Sequence, residues 1–184
     1  MAFCGVIPMI VSEAVRKVMK AFFLKAMREA SWTAGHTGTR VPGTHNLFRI
    51  EFREDELLFV EEYVLSEMRN EELSGFQVNI SGTITLLRGK KEIWMMTHSG
   101  FYQKFDISFL QRARMSAYTL GDEGRFLGGH GLPHYGEEDY PNVYENKAFG
   151  TFAQFAGHEK IIPIGDRAHT FHGRNNYSGG FMSR

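Results

Sequence analysis

Side chains that combine a ring with a polar tip recur near the ends of predicted strands, and these residue types are suited to bind a small molecule. The set is Trp94, His98, Tyr102, Phe171, His172 and Tyr177. Such side chains line pockets because they offer apolar contact area together with a hydrogen-bonding group, although they also fill cores. We interpret Trp94 as a core residue. His98 and Tyr177 occupy equivalent positions in two similar stretches, so we expect them to contact a ligand first.

Two glutamates could supply acid–base chemistry. Glu62 and Glu159 each lie on a predicted strand among apolar neighbours, where burial would raise the pKa of a carboxyl group toward neutrality. The alternative is a strand carboxylate that faces water or pairs with an arginine. The sequence therefore allows a hydrolase or isomerase that uses one of these glutamates with a histidine.

The histidines do not have the spacing of metal ligands. His130 and His134 are four residues apart, but a glycine and a proline between them exclude the helix that would align them. His169 and His172 are three apart on a predicted strand, which places them on opposite faces. The glycine-rich run at 128–131 lacks the Lys-Ser/Thr of a phosphate-binding loop. We therefore predict no metal site and no cofactor.

Charge and cysteine content restrict the partners and the compartment. Lys plus Arg and Asp plus Glu both number 21, so no net field attracts a nucleic-acid backbone or an anionic membrane. No run approaches the ~20 apolar residues that span a bilayer, and the opening segment has no export signal. Cys4 is the single cysteine, which favours a reducing compartment. We expect a cytoplasmic protein without nucleic-acid or membrane partners, folded as one domain over residues 1–184.

Two amphipathic helices are predicted. Apolar residues from Ser12 to Trp32 follow the i, i+3, i+4, i+7 spacing of a helix over four turns, and Ser12 is a suitable N-cap. Phe105 to Tyr118 shows a similar pattern, with Arg112 and Arg114 turned away from the apolar face. Each helix should pack one face on a sheet.

The rest of the chain indicates strands joined by short turns. The predicted strands are Leu47 to Phe52, Leu57 to Val64, Phe76 to Ile80, Thr83 to Leu87, Glu92 to His98, Ala148 to Phe155, Glu159 to Ile164 and Ala168 to His172. The turns include Glu54–Glu56 and Ser81–Gly82, with glycine-containing turn chemistry. The expected fold class is α+β, with a mostly antiparallel curved β-sheet and two packed helices.

Two long segments and an internal similarity bear on where a site would lie. The segments Thr33 to Asn46 and Gly121 to Asn146 are predicted loops of the length that often forms a pocket rim. Two stretches, from Ile80 to Phe101 and from Phe155 to Phe181, share glycine-centred turns and an aromatic-rich Ser-Gly ending. A duplicated β-hairpin unit and two ordinary hairpins explain this similarity equally well.

Several short patterns resemble a family of uncharacterised bacterial proteins, a domain of unknown function found alone or behind helix-turn-helix segments of the kind that regulators carry. The similar residues are Ala30 to Ala34, Arg40 to Thr44, Phe59 to Tyr63, Gly82, Gly89, Trp94, Met96, Gly100, Phe155, Gly157, Glu159, Ile161 and Tyr177 to Gly180. The resemblance covers the chain from about Phe22 to Gly180. It implies a shared fold and a sensory role in regulators, and it implies no particular reaction.

Three functional hypotheses follow. The first is a small-molecule-binding or regulatory module with a ligand beside His98 and Tyr177. The second is the hydrolase or isomerase described above. The third is an interaction or assembly protein, in which exposed sheet edges or the apolar segment Phe3 to Val11 support self-association as a homodimer.

Overall fold

The computed structural model describes residues 11–70, 75–119, 134–138, 140–165 and 171–182. The helices within these ranges are α1 (Glu13–Glu29) and α2 (Ile107–Thr119), with short 3-10 turns at Trp32–Ala34 and Lys104–Asp106. The strands are β1 (Thr39–Arg40), β2 (Leu47–Glu54), β3 (Leu57–Asn70), β4 (Gly75–Arg88), β5 (Lys91–Gln103), β6 (His134–Gly136), β7 (Asn142–Thr151), β8 (Gln154–Pro163) and β9 (Gly173–Phe181).

The strands form one open, antiparallel sheet in the order β1-β2-β3-β4-β5-β9-β8-β7-β6. Both helices contribute to the buried clusters on one side of this sheet, which we call the inner face, and the opposite side is the outer face. The α+β class with a curved antiparallel sheet and two helices is therefore confirmed.

The sheet consists of two halves whose strands follow one another in sequence order from each outer edge toward the centre. One half consists of α1 followed by the meander β2–β5, and the other consists of α2 followed by the meander β6–β9. The halves meet where β5 pairs with β9, and His98 lies opposite Tyr177 at that junction. This arrangement is the one that two copies of a helix-plus-meander unit would produce.

Helix α1 forms as the sequence pattern predicts. The Ser12 hydroxyl accepts a hydrogen bond from the backbone N–H of Val15 at 3.4 Å, which caps the first turn. The buried stripe includes Met19, Phe22, Phe23 and Met27. No helix within the described ranges combines the length and apolarity needed to cross a bilayer.

The core has two connected parts between the helices and the inner face. Under α1, Phe23 packs against Trp94 with ring centroids 5.1 Å apart, and the Trp94 ring stacks on Phe152 at 4.8 Å. Under α2, Phe109 and Leu110 pack among buried side chains of the second cluster. The second region also contains Tyr102 and Tyr144, whose hydroxyl groups bind buried polar partners.

Some predicted boundaries are wrong. Ser81–Gly82 is no turn, because β4 runs unbroken through it, and Ala148 to Phe155 contains the turn between β7 and β8. Strand β9 starts at Gly173, so the end of the predicted strand Ala168 to His172 is not part of it; residues 168–170 lie outside the described ranges.

The two predicted loops also contain regular structure. Strand β1 lies within Thr33 to Asn46, and strand β6 and the start of β7 lie within Gly121 to Asn146. Residues 121–133 and 139 of the second segment are outside the described residues. A pocket rim at that segment therefore stays a prediction.

Candidate functional site

A row of four residues crosses the middle of the inner face. His98 lies opposite Gly82 on β4 and Tyr177 on β9, and Tyr177 lies opposite Gly157 on β8. His98 is 5% exposed and Tyr177 3% exposed. A Cβ atom at Gly82 would come within 3.0 Å of His98 Nε2, and one at Gly157 within 2.4 Å of the Tyr177 hydroxyl. Each glycine therefore makes room for the ring beside it, and the structure brings the two predicted ligand-binding residues together.

Burial determines the charge state of these rings. Desolvation lowers the pKa of His98 to about 4, with Arg114 acting in the same direction and Glu159 against it. His98 is therefore neutral at physiological pH. The Tyr177 hydroxyl donates a hydrogen bond to Asn146 Oδ1 at 2.5 Å, so its polar tip is satisfied inside the fold.

A buried polar group lies next to this row, and we call it the Arg114 cluster: Arg114 on α2, Tyr102 on β5, Tyr144 on β7 and Glu159 on β8. Arg114 Nη2 and the Tyr102 hydroxyl both donate to Glu159 Oε1. Arg114 Nε and the Tyr144 hydroxyl donate to Oε2 at 3.3 and 2.6 Å. Two donors on each oxygen use the roughly four acceptor positions of a carboxylate.

Charges in the Arg114 cluster are stabilised by one another. Burial alone would lower the pKa of Arg114, but Glu159, Tyr102 and Tyr144 outweigh it and hold that pKa well above its usual range. Burial and the Glu159 charge raise the pKa of both tyrosines, which therefore remain protonated donors. Such an ion pair fixes the orientation of α2 on the sheet, and it leaves Glu159 without a lone pair for proton abstraction.

A second buried acid, Glu61, lies on the inner face of β3. Its Oε2 atom accepts a hydrogen bond from the backbone N–H of Trp32 at 2.8 Å, and the residue is 5% exposed. Burial raises the pKa of Glu61 to about 7, although the Trp32 N–H and the charge of Arg114 partly oppose the shift. Arg114 also stacks on the Trp32 ring, with its Cζ atom 5.6 Å from the centroid.

We expect Glu61→Gln to remove a pH dependence of stability. The raised pKa means that the folded protein binds a proton more tightly than the unfolded chain, so stability falls as pH rises from about 4.5 to about 7. At pH 8 the variant should be more stable than the parent by up to about 3 kcal/mol, since one pKa unit corresponds to about 1.4 kcal/mol. At pH 4.5 the two should be equal. Urea titrations at several pH values measure this.

The adjacent variant Glu62→Gln is the control for that experiment. Glu62 lies on the outer face of β3, where its carboxylate is partly exposed and 3.1 Å from Arg49 Nη1. Glu62→Gln should leave the pH dependence of the free energy of unfolding between pH 4.5 and 7 unchanged. A Glu61→Gln protein that keeps the parent slope would contradict the assignment to Glu61.

The other predicted site residues have clear structural roles. Trp94 is fully buried and its indole N–H donates to the Phe152 carbonyl at 2.8 Å. Glu62 and Glu159 point to opposite faces of the sheet, so they do not form a carboxylate pair. Glu159 instead belongs to the Arg114 cluster together with Tyr102.

His172 belongs to a separate polar group at the start of α2. Its Nδ1 atom lies 3.3 Å from Asp106 Oδ2, and Asp106 Oδ1 accepts hydrogen bonds from Tyr140 at 2.8 Å and Asn142 at 2.6 Å. Burial raises the pKa of Asp106, and its partners oppose that shift. His130 and His169 lie outside the described residues, and no three His, Cys, Asp or Glu side chains among those described are grouped to hold a metal ion.

A concave region lies on the outer face directly behind the row of His98 and Tyr177. We call it the outer hollow, and its volume is about 440 Å³. It is lined by Thr97, His98 and Ser99 of β5, Ala156 and Gly157 of β8, and Asn176, Tyr177 and Ser178 of β9. Because side chains alternate along a strand, His98 and Tyr177 contribute backbone here, while Thr97, Ser99, Ala156, Asn176 and Ser178 present side chains.

Hydroxyl groups of the outer hollow are close together but weakly bonded. Thr97 Oγ1 lies 3.5 Å from both the carbonyl oxygen and the hydroxyl of Ser178, which is at the long limit for a hydrogen bond. Phe149 is the cross-strand partner of Ala156 and is 67% exposed. The hollow thus combines hydrogen-bonding groups with an exposed ring at its border.

A second hollow, of about 290 Å³, separates the start of α1 from the β2–β3 turn. Ala14, Val15 and Val18 line it on the helix side, and Leu57 and Arg88 lie opposite. Its lining is mainly apolar on the helix side. None of the predicted site residues contacts it.

The sequence pattern does not identify Arg114 or Glu61 as members of a buried polar site. The prediction that Arg114 turns away from the apolar face of α2 is wrong, because Arg114 is 2% exposed and points at the inner face. Its position four residues after Leu110 placed it on the apolar stripe, so a signal was present. Glu61 and Glu62 are adjacent in an apolar strand, and adjacent side chains of a strand point to opposite faces of the sheet. The sequence alone does not indicate which of the two glutamates faces the core.

No protein-family model, curated protein or solved structure matches this chain. The resemblance to the uncharacterised bacterial family therefore stays a prediction. Assignment of a function depends on the geometry of the chain itself.

Proposed function

We propose that this protein is a small-molecule-binding module and that the outer hollow is its binding site. The observation that carries the proposal is a concavity of about 440 Å³ on the outer face, lined by the side chains of Thr97, Ser99, Asn176 and Ser178. Ligand sites have volumes of about 300 to 1,000 Å³ and a few convergent polar groups.

The lining of the hollow favours an uncharged, hydroxyl-rich ligand. None of its eight lining residues is Lys, Arg, Asp or Glu, so a charged ligand would lose its hydration without gaining a partner charge. Hydroxyl and amide groups can both donate to and accept from a ligand hydroxyl. Phe149, at the border beside Ala156, offers an apolar surface for the C–H face of a sugar or cyclic polyol.

The buried rings support this site indirectly. His98 and Tyr177 are buried on the inner face, where they pack beneath the strands whose outer surface forms the hollow. The sequence predicts that His98 and Tyr177 contact a ligand through their side chains. In the proposed site, both residues contribute backbone atoms instead. A sensory role, as the family resemblance implies, would be exerted through these strands. The proposed location is the cytoplasm, because the single cysteine favours a reducing compartment.

Ala156→Trp should abolish ligand binding by filling the hollow with an indole ring. The probes are glucose, maltose and myo-inositol, each followed by saturation-transfer NMR of the probe and by chemical-shift changes of the protein amides. We expect the parent to give a saturation-transfer signal with at least one of the three probes. The perturbed amides should belong to β5, β8 and β9.

Ala14→Trp is the matched control, since it makes the same substitution in the second hollow beside α1. It should bind the same probe as the parent. Binding that survives Ala156→Trp, or that is lost equally in both variants, would rule out the outer hollow as the site. A parent that binds none of the three probes would overturn the proposed ligand class.

A further inference from the structure

The long hairpin of β3 and β4 extends past the rest of the sheet. Pairing of β2 with β3 ends at Leu47 and Val64, whereas β3 continues to Asn70 in register with β4. The last backbone contact on that side is the Leu65 N–H, which donates to the Asn46 carbonyl at 3.4 Å. Beyond Leu65, no other strand in the described part of the chain pairs with this edge of β3.

The backbone groups of this edge have a known direction. The Leu65 N–H points toward the β2 side, and both backbone groups of every second residue of a strand point to the same side. The N–H and C=O groups of Glu67 and Arg69 therefore point away from β4, toward the open side. Unpaired edges of this kind are templates for another strand.

The side chains of the edge are complementary to their own antiparallel copy. Glu67 and Arg69 lie on one face of the strand with Met68 between them on the other, and Met68 is 57% exposed. If a second copy pairs about Met68, Glu67 faces Arg69 of the partner subunit and Met68 lies beside Met68 of the partner subunit. Each Glu67–Arg69 pair would exchange two backbone hydrogen bonds, which gives four in total.

We infer that two copies of this chain dimerise by antiparallel pairing of their β3 edges, centred on Met68. The pairing is isologous, as in most homodimers, and it joins two sheets into one. Opposite charges directly across a strand pair stabilise it, and like charges destabilise it. Glu67 also accepts a hydrogen bond from Lys104 Nζ at 3.0 Å, and its carboxylate can still accept one from the partner's Arg69.

The sheet's two outermost strands fit this role less well. Strand β1 has two residues and β6 three, so neither of these two strands offers the four alternating backbone groups that the β3 edge provides. Short edge strands are a common protection against unwanted pairing. The inference is independent of the proposed ligand site, which lies on β5, β8 and β9.

A charge swap tests the inference. Analytical ultracentrifugation over a concentration series should show a monomer–dimer equilibrium for the parent. In the proposed pairing, position 67 of one subunit faces position 69 of the other. Glu67→Arg therefore places arginine opposite arginine in both pairs, and Arg69→Glu places glutamate opposite glutamate. The dissociation constant of the dimer should rise at least tenfold for each variant alone. An equimolar mixture of the two variants should recover dimers of parental affinity, because every pair then joins opposite charges. The double variant should also dimerise like the parent.

Arg16→Glu on α1 is the control, since it inverts an exposed charge on a helix, away from every strand edge, and should leave the affinity unchanged. Circular dichroism of each variant confirms that the fold is intact, and the recovered mixture provides the same check internally. A parent that stays monomeric at every concentration overturns the inference. Single variants that dimerise like the parent, or a mixture that stays monomeric, overturn it as well.

Discussion

Glu159→Gln is expected to lower the free energy of unfolding by about 3 to 5 kcal/mol, because it leaves the buried guanidinium of Arg114 without its counter-charge. Arg114 and Glu159 are 2% and 0% exposed, so water cannot replace the lost carboxylate. The amide also places a donor where Arg114, Tyr102 and Tyr144 already donate, which adds unsatisfied hydrogen-bonding groups to the core.

Urea unfolding monitored by tryptophan fluorescence measures this change. The quadruple variant Arg114→Met, Glu159→Leu, Tyr102→Phe, Tyr144→Phe should recover most of the loss, since it removes every polar group of the cluster together, and replacing all partners of a buried pair by apolar residues is often neutral or stabilising. Glu145→Gln, which removes a partly exposed partner of Lys160, serves as the control and should cost within about 1 kcal/mol. A Glu159→Gln protein as stable as this control would mean that the ion pair contributes little to the fold.

Gly100→Ala is the second substitution with a large expected effect. A Cβ atom on Gly100 would lie 2.0 Å from the backbone oxygen of Arg174 and 2.5 Å from the Cα of Asn175. Both contacts are with the backbone of β9, so no side-chain rotation relieves them and β5 must separate from β9. We expect a loss of about 3 kcal/mol or more, the upper end of what overpacking costs.

Gly136→Ala is the matched control for that experiment. The nearest atom to its added Cβ would be a methyl carbon of Val143 at 3.6 Å, which is ordinary contact, and the stability should change by no more than about 0.5 kcal/mol. Thermal unfolding of the two variants by circular dichroism compares them directly. Equal melting temperatures would show that the β5–β9 junction tolerates a methyl group, against the geometry described here.

Local patterns are sufficient for the two helices and for the β2–β3 turn. The 3.6-residue period predicted α1 to within a few residues, and the alternation around Glu54–Glu56 predicted the β2–β3 hairpin. The same logic failed at Ser81–Gly82, where a serine and a glycine normally indicate a turn. Gly82 is needed there for contact with His98, and the requirement comes from a neighbouring strand that local sequence does not identify.

The candidate site was harder to predict because it depends on contacts between distant strands. His98 and Tyr177 were singled out by their equivalent positions, but nothing local indicated that their rings would turn inward and leave small side chains on the outer face. Glu159 was chosen as a base, although Arg114, 45 positions earlier, occupies its oxygens. Arg114 and Glu159 are brought together because α2 packs against the inner face of the sheet.

Strand β9 gives the sheet an assembly order that differs from the order of synthesis. Each of the four strands β2 to β5 pairs with the strand before it, so the first half can form while the ribosome is still translating the second. Among the described strands, the other half pairs with the first only through β9, whose Ser178 meets Thr97 across 81 positions. Long-range contacts of this kind slow folding, and the free edge of β5 must stay protected until the last strand emerges.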